Sequence, residues 1–443
     1  GFARLPERPH RSYPLFPYRN PFTMILLKPV LSAALIAAIL ATGCSKGDSE
    51  PPTDTIRYAS TKDIRNINPH LYSGEMAAQA MVFEPLVVNT DEGVKPWLAA
   101  SWDISKDGRT YTFHLRQGVK FTDGEPFTAQ AVKANLDAIQ ANVKRHAWLD
   151  LVNEIEKTEA VDDSTFRLTL KHPYYPTLTE LGLSRPFRFI SPKCMKDGGT
   201  KDGVSCLEGT GPWKLSERKE NQSALFVRNE GYWGEKPAAK AVLWRVMPDP
   251  QTMLMALDKG EIDLIFGADG DQLNLDAFAK IAKEGRLVTE ISKPIASRAI
   301  LLNTRRPITS DIRVRRAITQ AIDKKAIISG VLNGTEAEAQ TLMPESAPYC
   351  NVGLKPLAHD PEAAARLLGE AGWQPGPDGI RVKNGQRLSL AFYFNSKNAQ
   401  EKTIAEHVQA DLRKIGIELK VIGEEKQAFL DRQRTGDFDL QYS

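Results

Sequence analysis

Near the end of the chain, a strand pattern, a helix pattern and a second strand pattern follow one another, and this order restricts the fold more than any other part of the sequence. Residues 388–394 and 417–422 are short apolar segments typical of strands, and residues 402–415 between them carry apolar side chains at helical spacing. A β-α-β run of this kind is typical of proteins that mix helices with sheets. The sequence therefore predicts a mixed α/β fold.

Turn and capping residues divide the rest of the chain into further strands and helices. Asp107-Gly108 stands beside an alternating segment, which is a hairpin signal. Thr128 is suited to cap a helix, and Asp360-Pro361 opens another, with Pro at its first position and Gly372 past its end. Predicted strands cover residues 55–60, 111–115, 166–170, 241–246, 261–266 and 438–442. Predicted helices include one that stops near Pro85 and others over residues 129–139, 251–257 and 313–328.

The charge distribution gives no indication of a nucleic-acid partner. The 443 residues are 42% hydrophobic and 26% charged, with a formal net charge of +3. Residues 1–43 hold five basic residues against one acidic residue, so the remainder of the chain has a net charge of −1. A nucleic-acid-binding protein would be expected to concentrate basic residues on one face.

A short apolar segment before Cys44 predicts export from the cytoplasm. Lys28 precedes an apolar run over residues 30–41, broken only by Ser32 and ending in small residues. The run is shorter than the ~20 residues that span a bilayer. Residues 24–43 therefore have the marks of a signal peptide, and a Cys directly after the cleavage site is similar to a bacterial lipobox. An ordinary secretory peptide with an incidental Cys stays as the alternative.

The residues on either side of this signal are interpreted as outside the folded domains. Residues 1–23 precede Met24, a natural start, and have no apolar period, so we interpret them as upstream sequence. Residues 44–54 form a polar tether that begins at the lipidated Cys. As a flexible coil, ten residues reach on the order of 17 Å.

Three cysteines remain after Cys44. Cys194 and Cys206 flank a loop rich in Gly and Lys, and export permits a disulfide between them. Such a bridge would stabilise the fold by roughly 2–3 kcal/mol. The alternative is two unpaired thiols. Cys350 has no evident partner, and the three cysteines do not have zinc-site spacing.

Motifs of catalysis and of metal cages are absent from the sequence. There is no G-x-S-x-G nucleophile motif and no G-x-x-x-x-G-K-[ST] phosphate loop. The carboxylate pairs Asp162-Asp163 and Glu424-Glu425 fall at turns or strand ends and are interpreted as solvated surface. No two histidines have a metal-site spacing such as H-E-x-x-H; they are His10, His70, His114, His146, His172, His359 and His407.

Several ordered blocks resemble the family 5 (peptide/nickel class) extracytoplasmic solute-binding proteins of ABC importers. The resemblance runs from about Thr55 to the last residue. Its blocks are Pro96-Trp-Leu-Ala-Ala-Ser-Trp102, Ser105-x-Asp-Gly-x-Thr-x-Thr-Phe113, Leu115 to Thr128, Gly209-Thr-Gly-Pro-Trp213, Arg228-Asn-x-x-Tyr-Trp233, Gly260-Glu-Ile-Asp-Leu264 and Val314-Arg-Arg-Ala317.

A second set of blocks is similar to the nickel-binding members of that family. Dipeptide- and oligopeptide-binding members share the first set and are not expected to share the second. These blocks are Asn68-Pro-His-Leu-Tyr72, Arg145-His-Ala-Trp-Leu149, Ser184-Arg-Pro-Phe-Arg-Phe-Ile-Ser-Pro192, Tyr232-Trp-Gly-Glu-Lys-Pro237 and Ile422-Gly-Glu-Glu425.

The resemblance implies an α/β fold of the periplasmic-binding-protein type II (cluster C), with two lobes, a hinge and mixed sheets. Lobe I would comprise residues 55–247 and lobe II residues 248–443. In relatives the chain then crosses back to lobe I, and we expect this sequence to be truncated before that segment. The relatives' metal-binding His and some aromatic residues lie there, so we assign no metal ligand.

The resemblance also implies five residues in the ligand cleft. Arg145 and Arg185 would bind the carboxylates of a chelator, since guanidinium groups form bidentate charge-assisted bonds. Trp148 would form a flat apolar wall and Met76 a soft polarizable contact, and Tyr72 is the fifth cleft residue. Read without the resemblance, all five fit surface ion pairs or packing. His146 is left out, because neighbouring side chains point in different directions.

These features imply a substrate-binding lipoprotein that captures nickel as a small carboxylate or histidine chelate. It would be anchored on the periplasmic side of a bacterial membrane and would deliver its cargo, as a monomer, to ABC permease subunits. No cofactor and no catalysis are expected, although some relatives bind haem. The alternatives are a peptide-binding protein of the same family, a secreted hydrolase, and an incomplete product that does not fold stably.

Overall fold

A computed structural model describes residues 53–267, 272–292, 296–343 and 350–443. The predicted signal peptide, Cys44 and nearly all of the tether lie outside the described residues. Within these ranges, no helix is both long and apolar enough to cross a membrane.

Strands and helices alternate along the described chain. The strands are β1 (Thr55–Ser60), β2 (Val87–Thr90), β3 (Gly93–Pro96), β4 (Ala99–Ile104), β5 (Thr110–Leu115), β6 (Ile155–Ala160), β7 (Thr165–Leu170), β8 (Met195–Lys196), β9 (Gly199–Val204), β10 (Trp213–Lys219), β11 (Ser223–Arg228), β12 (Ala241–Val246), β13 (Leu264–Ile265), β14 (Ile300–Leu302), β15 (Gln374–Pro375), β16 (Arg381–Lys383), β17 (Gln386–Arg387), β18 (Ser389–Asn395), β19 (Glu418–Glu424) and β20 (Leu440–Tyr442). The α-helices are α1 (Met76–Val82), α2 (Ala129–Gln140), α3 (Val143–His146), α4 (Asp150–Glu154), α5 (Thr177–Leu181), α6 (Pro250–Asp258), α7 (Leu275–Glu284), α8 (Ile312–Ala321), α9 (Lys324–Ala326), α10 (Pro361–Glu370), α11 (Ala399–Lys414) and α12 (Lys426–Thr435).

A five-stranded sheet, in the order β10-β11-β12-β1-β13, contains the first strand of the fold. β1 pairs in parallel with both β12 and β13, whereas β10, β11 and β12 are antiparallel. Successive side chains of β1 point to opposite faces, so Tyr58 packs with Phe83 and Trp244 while Ala59 packs with Met253 of α6.

An antiparallel sheet in the order β4-β5-β7-β6 forms the second layer, and α2 covers one of its faces. Phe113 and Phe166, which are fully buried, stack beside each other across β5 and β7. The predicted hairpin at Asp107-Gly108 and the predicted cap Thr128, whose hydroxyl accepts from the amide of Ala131, are both confirmed. Because buried and less buried residues alternate along β5 and β7, one face of this sheet packs against α2.

The β-α-β run predicted near the end of the chain forms the third large sheet, in the order β14-β20-β18-β19. β18 is parallel to β19 on one side and to β20 on the other, and α11 connects β18 with β19. Its core packs Phe392 and Leu412 against Val314 of α8 and Leu368 of α10.

The helix predicted over residues 313–328 is wrong in its length. α8 ends at Ala321, and a new turn, α9, begins after Asp323 before a π-helical turn over Ile327–Val331. The break has a local cause, because the carboxylate of Asp411 accepts the amide hydrogen of Asp323 at 3.0 Å and Asp323 in turn caps α9. A buried acceptor on α11 therefore competes with the helical hydrogen bonds.

The strand predicted over residues 261–266 is also shorter than expected. Of residues 261–266, only Leu264 and Ile265 of β13 pair with β1, because the carboxylate of Asp263 binds the backbone amide and the guanidinium of Arg57 at 2.8 and 2.5 Å. This pairing places residues after 247 beside the first sheet. The lobe boundary between residues 247 and 248 stays a prediction.

Cys194 and Cys206 form a disulfide with their Cα atoms 4.8 Å apart. It joins a 3-10 turn, Pro192–Cys194, to the chain that leaves the β8–β9 hairpin. The hairpin is thereby closed at its base. It carries Thr200, a residue that contacts the segment described next.

Candidate functional site

The segment Asn68–Tyr72, between β1 and α1, is fixed by buried polar side chains. Asn68 accepts the amide hydrogen of His70 at 3.0 Å and donates to the carbonyl of Thr200 at 2.9 Å. The amide of Gln79, on α1, donates to the carbonyls of Asn68 and Leu71 at 2.7 and 3.0 Å. The backbone that carries Tyr72 is therefore held from both sides.

His70 also helps to hold the segment Asn68–Tyr72 in place. Its Nε2 lies 3.0 Å from the carbonyl oxygen of Arg188 and its Nδ1 2.8 Å from the hydroxyl of Thr200. A carbonyl only accepts, so Nε2 carries the proton and Nδ1 accepts from the hydroxyl. Burial lowers the pKa of His70 to about 4, which keeps the ring neutral at neutral pH. Both nitrogens are used, so His70 is structural.

Four side chains meet around the ring of Tyr72. The guanidinium carbons of Arg145 and Arg185 lie 5.1 and 5.2 Å from the ring centre, within cation–π range. The rings of His146 and Trp148 are each 5.6 Å from it, centre to centre. The structure thus brings together Tyr72, Arg145, Trp148 and Arg185, four of the five predicted residues, from three separate segments.

Neither arginine has a carboxylate partner in the part of the chain that the structure describes. Arg185 donates to the carbonyl oxygens of Tyr72 and Gly74, at 3.2 and 2.9 Å. Glu75, the nearest acidic residue to act on Arg185, pairs with Arg65 at 2.5 Å instead. The side chain of Arg145 makes no hydrogen bond or ion pair with the described residues. Two positive charges therefore stand at Tyr72 without a neutralising contact.

Burial affects the protonation of these groups in opposite directions. It lowers the pKa of Arg185, which stays far above neutrality. Burial raises the pKa of the Tyr72 phenol, and the two arginines oppose the rise only partly. The site at neutral pH thus combines a protonated phenol with two cations.

Gly74 allows the close approach on which Arg185 depends. A β-carbon at this position would lie 2.4 Å from the carbonyl oxygen of Asn66. Any larger residue would push the turn apart and move the carbonyl of Gly74, to which Arg185 donates. Glycine is therefore required here by packing.

Two of the five predicted residues, Trp148 and Met76, are exposed apolar side chains. Trp148 follows α3 and keeps 64% of its surface exposed, although it touches Tyr72 on one side. Met76 is the first residue of α1 and is 41% exposed. The exposed indole of Trp148, which shares the Tyr72 ring with Arg145, is available to a ligand.

The expectation that His146 points away from the site is wrong. His146 is fully buried, and its Nδ1 lies 2.8 Å from the hydroxyl of Tyr72. α3 is a single turn, and Tyr72 presents its ring to Arg145 and its hydroxyl to His146. The block Arg145-His-Ala-Trp contained the signal, because three of its four residues contact Tyr72.

A second polar cluster surrounds Glu84, which is 3% exposed. Its carboxylate accepts from the indoles of Trp97 and Trp233 at 2.9 and 2.8 Å, from Thr210 at 2.8 Å and from Tyr232 at 2.7 Å. Burial and the charge of Glu84 raise the pKa of Tyr232, which keeps the phenol as a donor. Three of the family-wide blocks thus converge on one carboxylate that the sequence analysis did not single out.

No His, Cys, Asp or Glu side chains among the described residues are grouped in threes or more in a way that would hold a metal ion. A cavity of about 490 Å³ lies beside β14, where Ile300, Leu302 and Ile312 supply apolar walls and Arg315 and Arg316 a polar rim. It includes none of the Tyr72 cluster. The candidate site is the open cluster at Tyr72.

An open cluster of cations beside exposed aromatic surface is suited to binding an anionic ligand. The chain belongs to the bacterial extracellular solute-binding proteins of family 5, whose middle region matches residues 93–443. Its structural neighbours have the type II periplasmic-binding-protein fold, which confirms the predicted fold class and an extracytoplasmic, non-enzymatic role.

Three individual proteins are similar to this chain over most of its length. The nickel-binding periplasmic protein of Escherichia coli (strain K12) is 46% identical over 390 residues, which cover 87% of this chain and 74% of that protein. NikA from Brucella suis, solved in complex with Fe(III)-EDTA, is 48% identical with a TM-score of 0.85, over 88% of this chain and 78% of that one. NikZ from Campylobacter jejuni, solved with Ni(L-His), is 26% identical with a TM-score of 0.73, over 88% and 77%.

Proposed function

We propose that this protein is the substrate-binding component of an ABC importer and that it captures nickel as a small chelate with free carboxylates. The observation that carries the proposal is the pair of arginines at Tyr72, which have no carboxylate partner within the described ranges. The similar proteins support the choice of cargo. One is named for nickel, and two were solved with chelates whose ligands, EDTA and L-histidine, carry carboxylates.

Arg145 and Arg185 would bind the cargo's carboxylates. Arg185 is oriented by two backbone carbonyls through one of its terminal nitrogens, so the rest of its planar group remains for an anion. A hydrogen bond to a charged group contributes about 1.5–3 kcal/mol, more than a neutral one. The chelator's charge would thus supply most of the affinity.

The aromatic and sulfur-containing side chains would enclose the rest of the chelate. Trp148 would cover a flat face of the cargo, Tyr72 would form the base, and Met76 would add a polarizable contact at the start of α1. Nickel would enter with much of its coordination shell already filled by the chelator, so the protein would select the complex by its shape and charge.

Capture would be followed by closure of two lobes and by delivery to permease subunits. Lobe I, residues 55–247, holds the Tyr72 cluster, and cargo that also contacts lobe II, residues 248–443, would favour the closed arrangement. Removal of the signal peptide at residues 24–43 and lipidation of Cys44 would keep the monomeric protein on the periplasmic face of a membrane. One lipid chain alone binds membranes only weakly, so the anchor would need more than one.

Calorimetric titration with nickel plus L-histidine, nickel alone and a dipeptide mixture tests the proposal. We expect tight binding of the nickel–histidine complex alone, and a loss of about 10- to 100-fold in affinity in Arg145→Ala and Arg185→Ala. Lys144→Ala is the matched control, because it removes an exposed positive charge beside Arg145 that is not in contact with Tyr72. Binding of dipeptides without a response to nickel would assign the protein to the peptide-binding members instead.

A further inference from the structure

A side-chain hydrogen bond connects His146 with Tyr72 of the candidate site. It is the last residue of α3, and its Nδ1 lies 2.8 Å from the hydroxyl of Tyr72, 74 positions earlier in the sequence. Arg145 precedes it and Trp148 follows two residues later, and both contact the same ring. This side-chain bond therefore connects the segment Asn68–Tyr72 with the segment that carries two of the proposed cargo contacts.

The other nitrogen of His146 shows that filling the core is not its only role. Nε2 is buried and has no hydrogen-bond partner among the described residues. An unsatisfied buried polar atom costs about 1–3 kcal/mol. A phenylalanine would fill a similar volume without that cost, so the imidazole has to be explained by what Nδ1 does.

The position of the Tyr72 ring also determines where the positive charges of Arg145 and Arg185 lie. Both guanidinium groups lie against its ring, at 5.1 and 5.2 Å, and neither has an anionic partner in the described chain. The backbone of Tyr72 is held independently by Asn68 and Gln79. Loss of the His146 bond would therefore free the phenol ring and leave its backbone in place.

The protonation state of His146 suits this role. Burial, with the charge of Arg145 as a second cause, lowers the pKa of His146 to about 4. The imidazole is neutral at neutral pH, so it offers one donor and one acceptor and adds no third positive charge beside the two arginines.

We propose that His146 is a positioning residue of the cargo site, which holds the Tyr72 ring between Arg145, Arg185 and Trp148 and thereby sets the affinity for carboxylate-bearing chelates. This inference rests on the proposed function. It adds a residue that does not touch the cargo and acts through Tyr72 alone.

A double-mutant cycle on the purified full chain tests the inference. The variants are His146→Phe, Tyr72→Phe and both together, titrated with nickel plus L-histidine. Each single variant should weaken binding by about 3- to 10-fold, the range of one neutral hydrogen bond. The double variant should be no weaker than the weaker single one. Wild-type affinity in His146→Phe, or losses that multiply in the double variant, would overturn the proposal.

A conservative variant separates positioning from simple packing. His146→Asn keeps a polar atom near the place of Nδ1 but fills less volume, so it should restore most of the affinity that His146→Phe loses. If Asn binds as weakly as Phe, the hydrogen bond is not the cause. Lys144→Ala again serves as the control on the same helix.

Thermal unfolding of the same variants distinguishes this proposal from the proposed function. If the Tm losses of His146→Phe and Tyr72→Phe do not add in the double variant, the bond orders Tyr72 whether or not a nickel chelate binds. If the wild-type protein in that case does not bind the chelate, only the proposed function is contradicted. Tm losses that add fully would overturn the positioning role even where the chelate binds tightly.

Discussion

The clusters at Glu84 and at Tyr72 are both built from residues before position 250, but they differ in how completely their charges are satisfied. Glu84 is buried and accepts four hydrogen bonds from neutral donors. Arg145 and Arg185 contact an aromatic ring and backbone carbonyls, and no carboxylate approaches them within the described ranges.

This difference is the basis for proposing a structural role for the Glu84 cluster and a binding role for the Tyr72 cluster. A buried charge is stable only when its hydrogen-bonding capacity is used, so the closed arrangement at Glu84 stabilises the fold. Cations that remain unneutralised at an accessible aromatic surface retain their capacity for an anionic ligand. Arg432 and Arg298 show the paired arrangement, since Arg432 binds Glu424 at 2.5 Å and Arg298 binds Glu336 at 2.7 Å.

Replacement of the buried carboxylate should have the largest effect. Glu84→Gln turns one acceptor oxygen into a donor that faces other donors, and it weakens four charge-assisted bonds. We expect the free energy of unfolding to fall by at least about 3 kcal/mol, measured by urea denaturation. The chelate affinity of the remaining folded protein should change little.

The matched control for this variant is Glu92→Gln. Glu92 is exposed and pairs with Lys95 at 2.9 Å, and a surface pair contributes at most about 1 kcal/mol. Equal losses of stability in Glu84→Gln and Glu92→Gln would remove the basis for calling the Glu84 cluster structural.

The support beneath Tyr72 should make stability depend on pH. The pKa of His70 is lowered from 6.5 to about 4 in the folded protein. Between these values the unfolded chain binds one more proton than the folded one, so stability falls as the pH drops, by up to about 1.4 kcal/mol per pH unit. Urea denaturation between pH 4.5 and 7 measures the slope.

His70→Gln should reduce that slope by the equivalent of one proton. His172→Gln, which removes an exposed imidazole, is the matched control. An unchanged slope in His70→Gln would show that the buried ring is not kept neutral by the fold.

A charge-preserving change at the open cluster should have a moderate effect. Arg185→Lys keeps one positive charge but loses the planar group, one nitrogen of which binds two backbone carbonyls while the rest would be available to a cargo carboxylate. We expect a 5- to 10-fold weaker titration with nickel–histidine, about 1–1.4 kcal/mol. Affinity equal to that of the wild type would mean that charge alone matters at this position.

The smallest effect is expected at Trp148. Because 64% of the side chain is exposed, Trp148→Ala should leave the Tm within about 2 °C of the wild-type value. The affinity for the chelate should fall by about 2- to 5-fold through lost apolar contact. A large fall in Tm with no change in affinity would identify Trp148 as part of the fold.

The sequence predicted the elements whose signals are local. The hairpin at Asp107-Gly108, the cap at Thr128 and the β-α-β run near the end of the chain rely on neighbouring residues, and all three are confirmed. The break after Ala321 was not predictable in this way, because the carboxylate responsible, Asp411, lies 88 residues away from Asp323.

The site residues also divide into those that local sequence blocks predicted and one that depends on a contact between distant segments. Family blocks named Tyr72, Arg145, Trp148 and Arg185, and the structure brings all four together. His146 was missed because its direction was judged from regular helix geometry, whereas α3 is one turn that ends at this residue. Hydrogen bonds between distant segments decide such positions, and apolar periodicity contains no information on them.

The most direct test of the central claim compares two nickel chelates that differ by a carboxylate. Calorimetric titration with nickel–histidine and with nickel–histamine would use the wild type, Arg145→Ala and Arg185→Ala. The account predicts that the wild type prefers nickel–histidine by at least about tenfold and that each arginine variant loses most of this preference. Equal affinity of the wild type for both chelates would contradict the claim that the unpaired arginines select the carboxylate.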